Sequence, residues 1–178
     1  MTPKIDHIQI TVKDLALAEG FYDLFLPELG FDLARNLKGR VAEHDFDVVE
    51  YVHENFTIGI NSPRESEQAM EVHRRRPGSI HHLAFAAKSK KEVLIVHEKL
   101  EAVGVKPLEA PKYYPQHGEK YFAVFYKDPG GIKLEIMFEA LKIISGLIPY
   151  SNYNLTLVTT RELSHFTQII SQLDHRRM

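Results

Sequence analysis

In "HIQITV" (7–12) apolar and polar positions alternate: Ile8, Ile10 and Val12 fall on one side, His7, Gln9 and Thr11 on the other. Successive side chains of a strand point to opposite faces, so this pattern predicts a half-buried β-strand. The same split recurs in "FTIGINS" (56–62), "SIHHLAF" (79–85) and "IKLEIMF" (132–138). Behind the first of these strands, Leu15, Phe21, Tyr22, Phe25 and Leu29 recur near helical spacing, and Gly30 supplies a stop. Val93, Val96, Leu100 and Val103 do the same before Gly104. Asp14 and Ser89 suit the N-cap positions of the two helices, where a short side-chain oxygen accepts from a free backbone N–H. "DPGG" (128–131) predicts a turn between strands.

These elements repeat. His7 and His82 lie 75 positions apart, and Gly30 and Gly104 lie 74 apart. "DFDVVEYV" (45–52) matches "KYFAVFYK" (120–127) at an offset of 75, and "FTIGI" matches "IKLEI" at 76. A near-constant offset predicts two copies of one β-α-β-β-β unit. The fold class is then α+β: two paired modules whose strands form a curved, cup-like mixed sheet with helices on the outside. Module one spans about 4–62, a polar linker 63–78, and module two about 79–140. The linker's "HRRRP" run (73–77) reads as a solvated surface rather than an anion contact. Residues 141–178 form a C-terminal extension in which Leu163, Phe166, Ile169, Ile170 and Leu173 predict an amphipathic helix. That helix would dock on its own domain or on a second subunit.

Composition narrows the function classes. The chain has 178 residues, a formal net charge of −2 and no cysteine. Nucleic acid and anionic membranes are not implied by that charge, and thiolate metal sites and cysteine nucleophiles are excluded. The N-terminus runs straight into a strand with no signal-like apolar stretch, and no segment approaches the roughly 20 apolar residues of a spanning helix. A cytoplasmic protein without a membrane role is expected.

The faces turned away from the helices carry the chemistry. His7, Gln9 and Thr11 share one such face with Gly59 and Asn61; His82 and Ala84 share another with Lys133 and Glu135. If the halves form one curved sheet, His7, His82 and Glu135 converge in its hollow. Two imidazoles and one carboxylate suit a divalent metal such as Fe, Mn, Zn, Ni or Co. In the histidine doublet, His82 is the ligand, while His81 falls beside Leu83 and Phe85 and should be structural.

"DHIQITVKDL", "HHLAF" and "DPGGIKLEIM" resemble the three signature stretches of the vicinal oxygen chelate superfamily, over about residues 4–140. That group includes glyoxalase I, methylmalonyl-CoA epimerase, the fosfomycin resistance enzymes, the extradiol dioxygenases and the bleomycin resistance proteins. The resemblance implies a cup around one divalent metal, with the family's ligands falling on His7, His82 and Glu135. It implies an enzyme that chelates a small oxygen-rich substrate through two oxygens and activates it by Lewis-acid catalysis. Family members with a fourth ligand carry it where this chain has Gly59, so ordinary glyoxalase I chemistry is disfavoured; Asn61 is the alternative for that ligand. The resemblance also turns Phe125, and with it Ala123 and Tyr121, into the cup. Tyr121 is a candidate catalytic hydroxyl or a packing residue. Glu50, equivalent by the repeat, is a candidate general base or a solvated strand-end carboxylate. "KYYPQHG" (112–118) would form the rim, while His44, His53, His97 and His117 read as surface residues. Two other functions stay open: a metal-free binding protein of the bleomycin-resistance kind, and an Fe(II) extradiol dioxygenase. A homodimer is compatible with either.

Overall fold

The alternating stretch at the N-terminus forms β1 (His7–Thr11). Asp14 then turns the chain into α1 (Leu15–Phe25), its carboxylate accepting from the Leu17 N–H at 3.0 Å. A 3₁₀ turn over Pro27–Leu29 follows, closed by Gly30 at φ 93°, a left-handed conformation that glycine adopts without steric cost. Strands β2 (Leu37–Val41), β3 (Phe46–Val52) and β4 (Thr57–Asn61) complete the first unit. The second repeats it as β5 (Leu83–Ala86), α2 (Lys90–Ala102), β6 (Glu109–Tyr113), β7 (Tyr121–Lys127) and β8 (Lys133–Glu139). Ser89 caps α2 by accepting from the Glu92 N–H at 3.1 Å. This computed structural model describes residues 4–140, so the expected C-terminal amphipathic helix lies outside the described residues.

Each unit contributes a four-stranded mixed sheet, ordered β1-β4-β3-β2 and β5-β8-β7-β6. The first strand of each unit runs parallel to its last, and the remaining pairs are antiparallel. The fold is the α+β pair of β-α-β-β-β units that the repeat implies. No strand pairing joins the two sheets among the described residues, which leaves β1 and β5 as free edges. No helix among the described residues is long and apolar enough to cross a membrane.

One hydrophobic core serves both sheets. Val49, Tyr51, Ile58 and Ile60 from the first meet Val124, Tyr126, Leu134 and Ile136 from the second, with Tyr22, Phe25, Val93 and Leu100 of the helices between them. Phe25 packs edge-on against Tyr126, ring centroids 5.4 Å apart, and reaches Phe85 at 6.2 Å. The two units are therefore joined through the apolar sides of their sheets.

A polar contact crosses the same junction. The "DPGG" turn buries Asp128, whose one oxygen accepts from the Ile132 N–H at 2.7 Å while the other accepts from the Tyr22 hydroxyl at 3.3 Å. Burial pushes the Asp128 carboxyl above its ordinary value, and the hydrogen bonds it accepts only partly offset this. A carboxyl raised in the folded state binds its proton more tightly there than in the unfolded chain. Its contribution to stability is therefore full below the ordinary carboxylate pKa and is lost as pH rises through the folded value. Asp128→Asn should abolish that part of the acid-side pH dependence, read as the difference between wild-type and variant urea midpoints across the weakly acidic range.

Candidate functional site

On the second sheet, register sets one row of side chains on the face away from the helices: Ala84 beside Glu135, Glu135 beside Phe125, Phe125 beside Glu109. The adjacent row holds Ala86, Met137, Ala123 and Lys112. The strand period turns Val124, Tyr126, Leu134 and Ile136 inward to the main core. Ala123, Phe125 and Met137, with Tyr114 and Tyr121, form a second, smaller apolar cluster on the outer side. This floor is buried although it faces away from the main core.

Glu135 is set into that floor, only 3% exposed. The Tyr121 hydroxyl donates to its Oε1 at 2.7 Å, and His82 Nε2 lies 3.3 Å from its Oε2. Burial, and then the bond to Glu135, push the Tyr121 phenol well above its ordinary pKa, so it stays a hydrogen-bond donor at neutral pH. The Lys133 ammonium sits 3.5 Å from the centroid of the Phe125 ring. Desolvation holds its pKa below the ordinary lysine value, against the pull of Glu135. Next to this set, Tyr114 donates to Glu109 at 2.7 Å. That pair was not singled out in the sequence, although Glu109 lies in "EAPKYY", directly before the rim tyrosines.

The first sheet carries the other sequence-derived residues. Its outer face aligns Gln9, Gly59 and Glu50 in one row and Thr11, Asn61 and Val48 in the next. His7 stands at the end of β1 with its side chain 60% exposed, its Nδ1 2.9 Å from Asp6. Asn61 is 9% exposed; its amide nitrogen donates to Gln9 Oε1 at 3.4 Å, and its Oδ1 is buried without a hydrogen-bond partner. An orphaned acceptor of this kind is costly unless something outside the chain satisfies it.

The chain thus brings His82, Glu135, Tyr121, Lys133, Phe125, Ala123 and Ala84 onto one face, and His7, Gln9, Thr11, Gly59, Asn61 and Glu50 onto another. Among the described residues no three His, Asp or Glu side chains are close enough to hold one metal ion. The nitrogen of His82 beside the oxygen of Glu135 suits a borderline divalent cation, but as two donors of a set. The residues present fit a metal as part of a site that needs a further donor.

Three expectations are corrected. His81 is not packed beside Leu83 and Phe85: β5 begins only at Leu83, and His81 is exposed with its Nδ1 2.7 Å from that of His82. His97 is not a surface residue, since its side chain is 12% exposed and its Nδ1 lies 3.0 Å from the buried Tyr126 hydroxyl. Half-buried His53 packs against Phe31, ring centroids 5.1 Å apart.

Residues 4–136 match the family model described as the Glyoxalase/Bleomycin resistance protein/Dioxygenase superfamily. An uncharacterised Bacillus subtilis protein, YqjT, is 32% identical over 131 residues, which span 74% of this chain and 95% of that protein. Among solved structures, a glyoxalase candidate from Bacillus halodurans superposes with a TM-score of 0.58 at 28% identity, covering 76% of this chain and 95% of that one. A fosfomycin resistance protein from Listeria monocytogenes, solved with Mn(II) and sulfate, gives 0.51 at 17% identity over 79% of this chain and 96% of its own. At that identity the likeness is one of fold.

Proposed function

Because the chain belongs to the glyoxalase/bleomycin resistance protein/dioxygenase superfamily, we propose that it is a cytoplasmic divalent-metal enzyme acting on a small oxygen-rich substrate. The observation that carries this is the pairing of His82 with the buried Glu135 at 3.3 Å. A carboxylate in an apolar floor is retained at a cost in desolvation, so its presence there calls for a functional partner. His82 and Glu135 would hold the metal, and His7 would supply the further donor. A bound divalent ion would act as a Lewis acid toward adjacent substrate oxygens.

The chain's own groups do the rest. Tyr121, kept protonated, offers a proton donor beside the carboxylate, and it can orient Glu135 as well as meet a substrate oxygen. Phe125, Met137 and Ala123 exclude water from the floor, which strengthens every polar contact made there. The buried, unpartnered Asn61 Oδ1 marks the His7-bearing face as a surface that meets a polar group.

His7 and Glu135 stand on different sheets, among the described residues no three such side chains are close enough to hold one ion, and β1 and β5 are free edges. A two-fold homodimer that sets the β1 edge of one copy against the β5 edge of the other would bring His7 of one to the His82–Glu135 pair of the other. The apolar groove lined by Ile5, Ile8, Phe56, Ile58, Leu83 and Phe85 lies along these edges and would be covered by the same contact. Isologous contacts of this kind give two equivalent sites per dimer.

Two measurements test the reading. Protein purified without chelator should carry stoichiometric divalent metal by elemental analysis; failure to bind Fe(II), Mn(II), Ni(II) or Zn(II) even when supplied would leave the metal-free binding protein as the better account. Co-refolding His7→Ala with Glu135→Ala chains should recover about a quarter of wild-type sites, since half the dimers are mixed and each rebuilds one site. Recovery of none would place the third donor within the same chain.

A further inference from the structure

Lys133 is a cation whose charge no neighbour neutralises directly. Among the described residues it makes no ion pair, although two carboxylates flank Phe125, the ring beneath it, in the row across β8, β7 and β6. Both of those are already engaged: Glu135 by Tyr121 and His82, Glu109 by Tyr114 at 2.7 Å and by Lys112 at 2.5 Å. The ammonium instead rests over the ring of buried Phe125, between them. A half-desolvated ammonium held over an aromatic face keeps its charge available while losing much of its hydration.

More positive charge lies nearby. Arg76 and Ser79 close consecutive backbone turns, Arg76 N–H to His73 at 3.0 Å and Ser79 N–H to Arg76 at 3.1 Å, so the arginine run is tied directly to the segment leading into His82.

From this placement we infer that Lys133, seated over Phe125 beside the His82–Glu135 pair, receives an oxyanionic group of the substrate. The substrate class is then a small molecule bearing a carboxylate or a phosphoryl-type group. A metal at His82 and Glu135 would take other oxygens of the same molecule. The inference rests on the reading of this face as the substrate site, but Lys133 acts whether or not a metal is present.

The test is calorimetric titration of the full chain with oxalate and with inorganic phosphate, metal-free and with Mn(II) supplied, in wild type, Lys133→Met and Lys133→Arg. Methionine keeps the packing on Phe125 and removes the charge. The wild type should bind at least one probe, the methionine variant about tenfold or more weakly, and the arginine variant within about threefold of wild type, as for one charge-assisted contact. Preference for oxalate assigns a carboxylate, and preference for phosphate a phosphoryl-type group. Equal binding by Lys133→Met and wild type, or no binding of either probe by the wild type, overturns the inference. If Mn(II) does not bind while Lys133-dependent anion binding persists, the metal reading fails and this one stands.

Discussion

Replacement of Glu135 by alanine is expected to lower metal affinity by at least about two orders of magnitude while leaving the fold as stable as before. The first part follows from its proposed place as a direct donor beside His82. Loss of groups that merely orient a ligand costs about 10- to 100-fold in affinity, and loss of the ligand itself should exceed that. The second part distinguishes a working carboxylate from a structural one. Glu135 is 3% exposed, and its carboxyl group sits out of water with one phenol bond and one imidazole contact. Removing one partner of a buried pair is costly when the other is left buried, but the His82 side chain is 35% exposed and water can solvate it. The Tyr121 hydroxyl it leaves behind is only part-buried, so water can replace the lost acceptor. The urea-derived stability of Glu135→Ala should therefore stay within about 1 kcal/mol of wild type. A loss of about 3 kcal/mol or more, with metal still bound, would make Glu135 a structural residue.

Phe25→Ala should give the opposite profile: a large loss of stability, with the His82–Glu135 pair untouched in chemistry. Phe25 is fully buried, stacks on Phe21 at 5.5 Å, meets Tyr126 edge-on at 5.4 Å and reaches Phe85 at 6.2 Å. Truncating a buried phenylalanine costs about 3–5 kcal/mol through lost burial and the cavity left behind. That is a large share of the roughly 5–15 kcal/mol that holds a typical domain folded. The ring comes from α1 yet packs on β5 and β7, so the cavity opens at the junction of the two units. Since their core is shared, unfolding followed by far-UV circular dichroism and by tyrosine fluorescence should shift as one transition. Two separated transitions would show that the units fold independently.

The two faces of each sheet were legible where a strand alternates and is flanked by clear turns. Parity alone put Leu134 and Ile136 inward and Lys133 and Glu135 outward, and the caps Asp14 and Ser89 were readable because short oxygen-bearing side chains precede each helix. Strands β2 and β6 were not located. "LKGRV" is exposed along nearly its whole length, and "EAPKY" contains a proline and a register shift against β7. Such edge strands are fixed by their neighbours rather than by a pattern of their own. His97 had a signal that was passed over: it stands four residues after Val93 and three before Leu100, on the buried stripe of α2.

The site was legible in the same limited way. Parity tells which side of its own sheet a residue occupies, which is why His82, Glu135 and Tyr121 fall together. It does not tell how the two sheets are set about one core, and so it does not bring His7, which lies on the other sheet, to the same place. His81 escaped the parity argument altogether, because the strand begins two residues after it.

Gly59 has a bearing on how such a protein diverges. Its backbone is not in the left-handed region, and a Cβ there would meet first the Cγ of Gln9 at 3.1 Å, a flexible side chain that can give way. The neighbouring strands hold Gln9 on one side and Glu50 on the other. A larger residue can thus enter this position without remaking the sheet. For the proposed metal site, a fourth donor at this position would be one base change or two away in the gene, so three-donor and four-donor forms would be neighbours in sequence space rather than separate inventions.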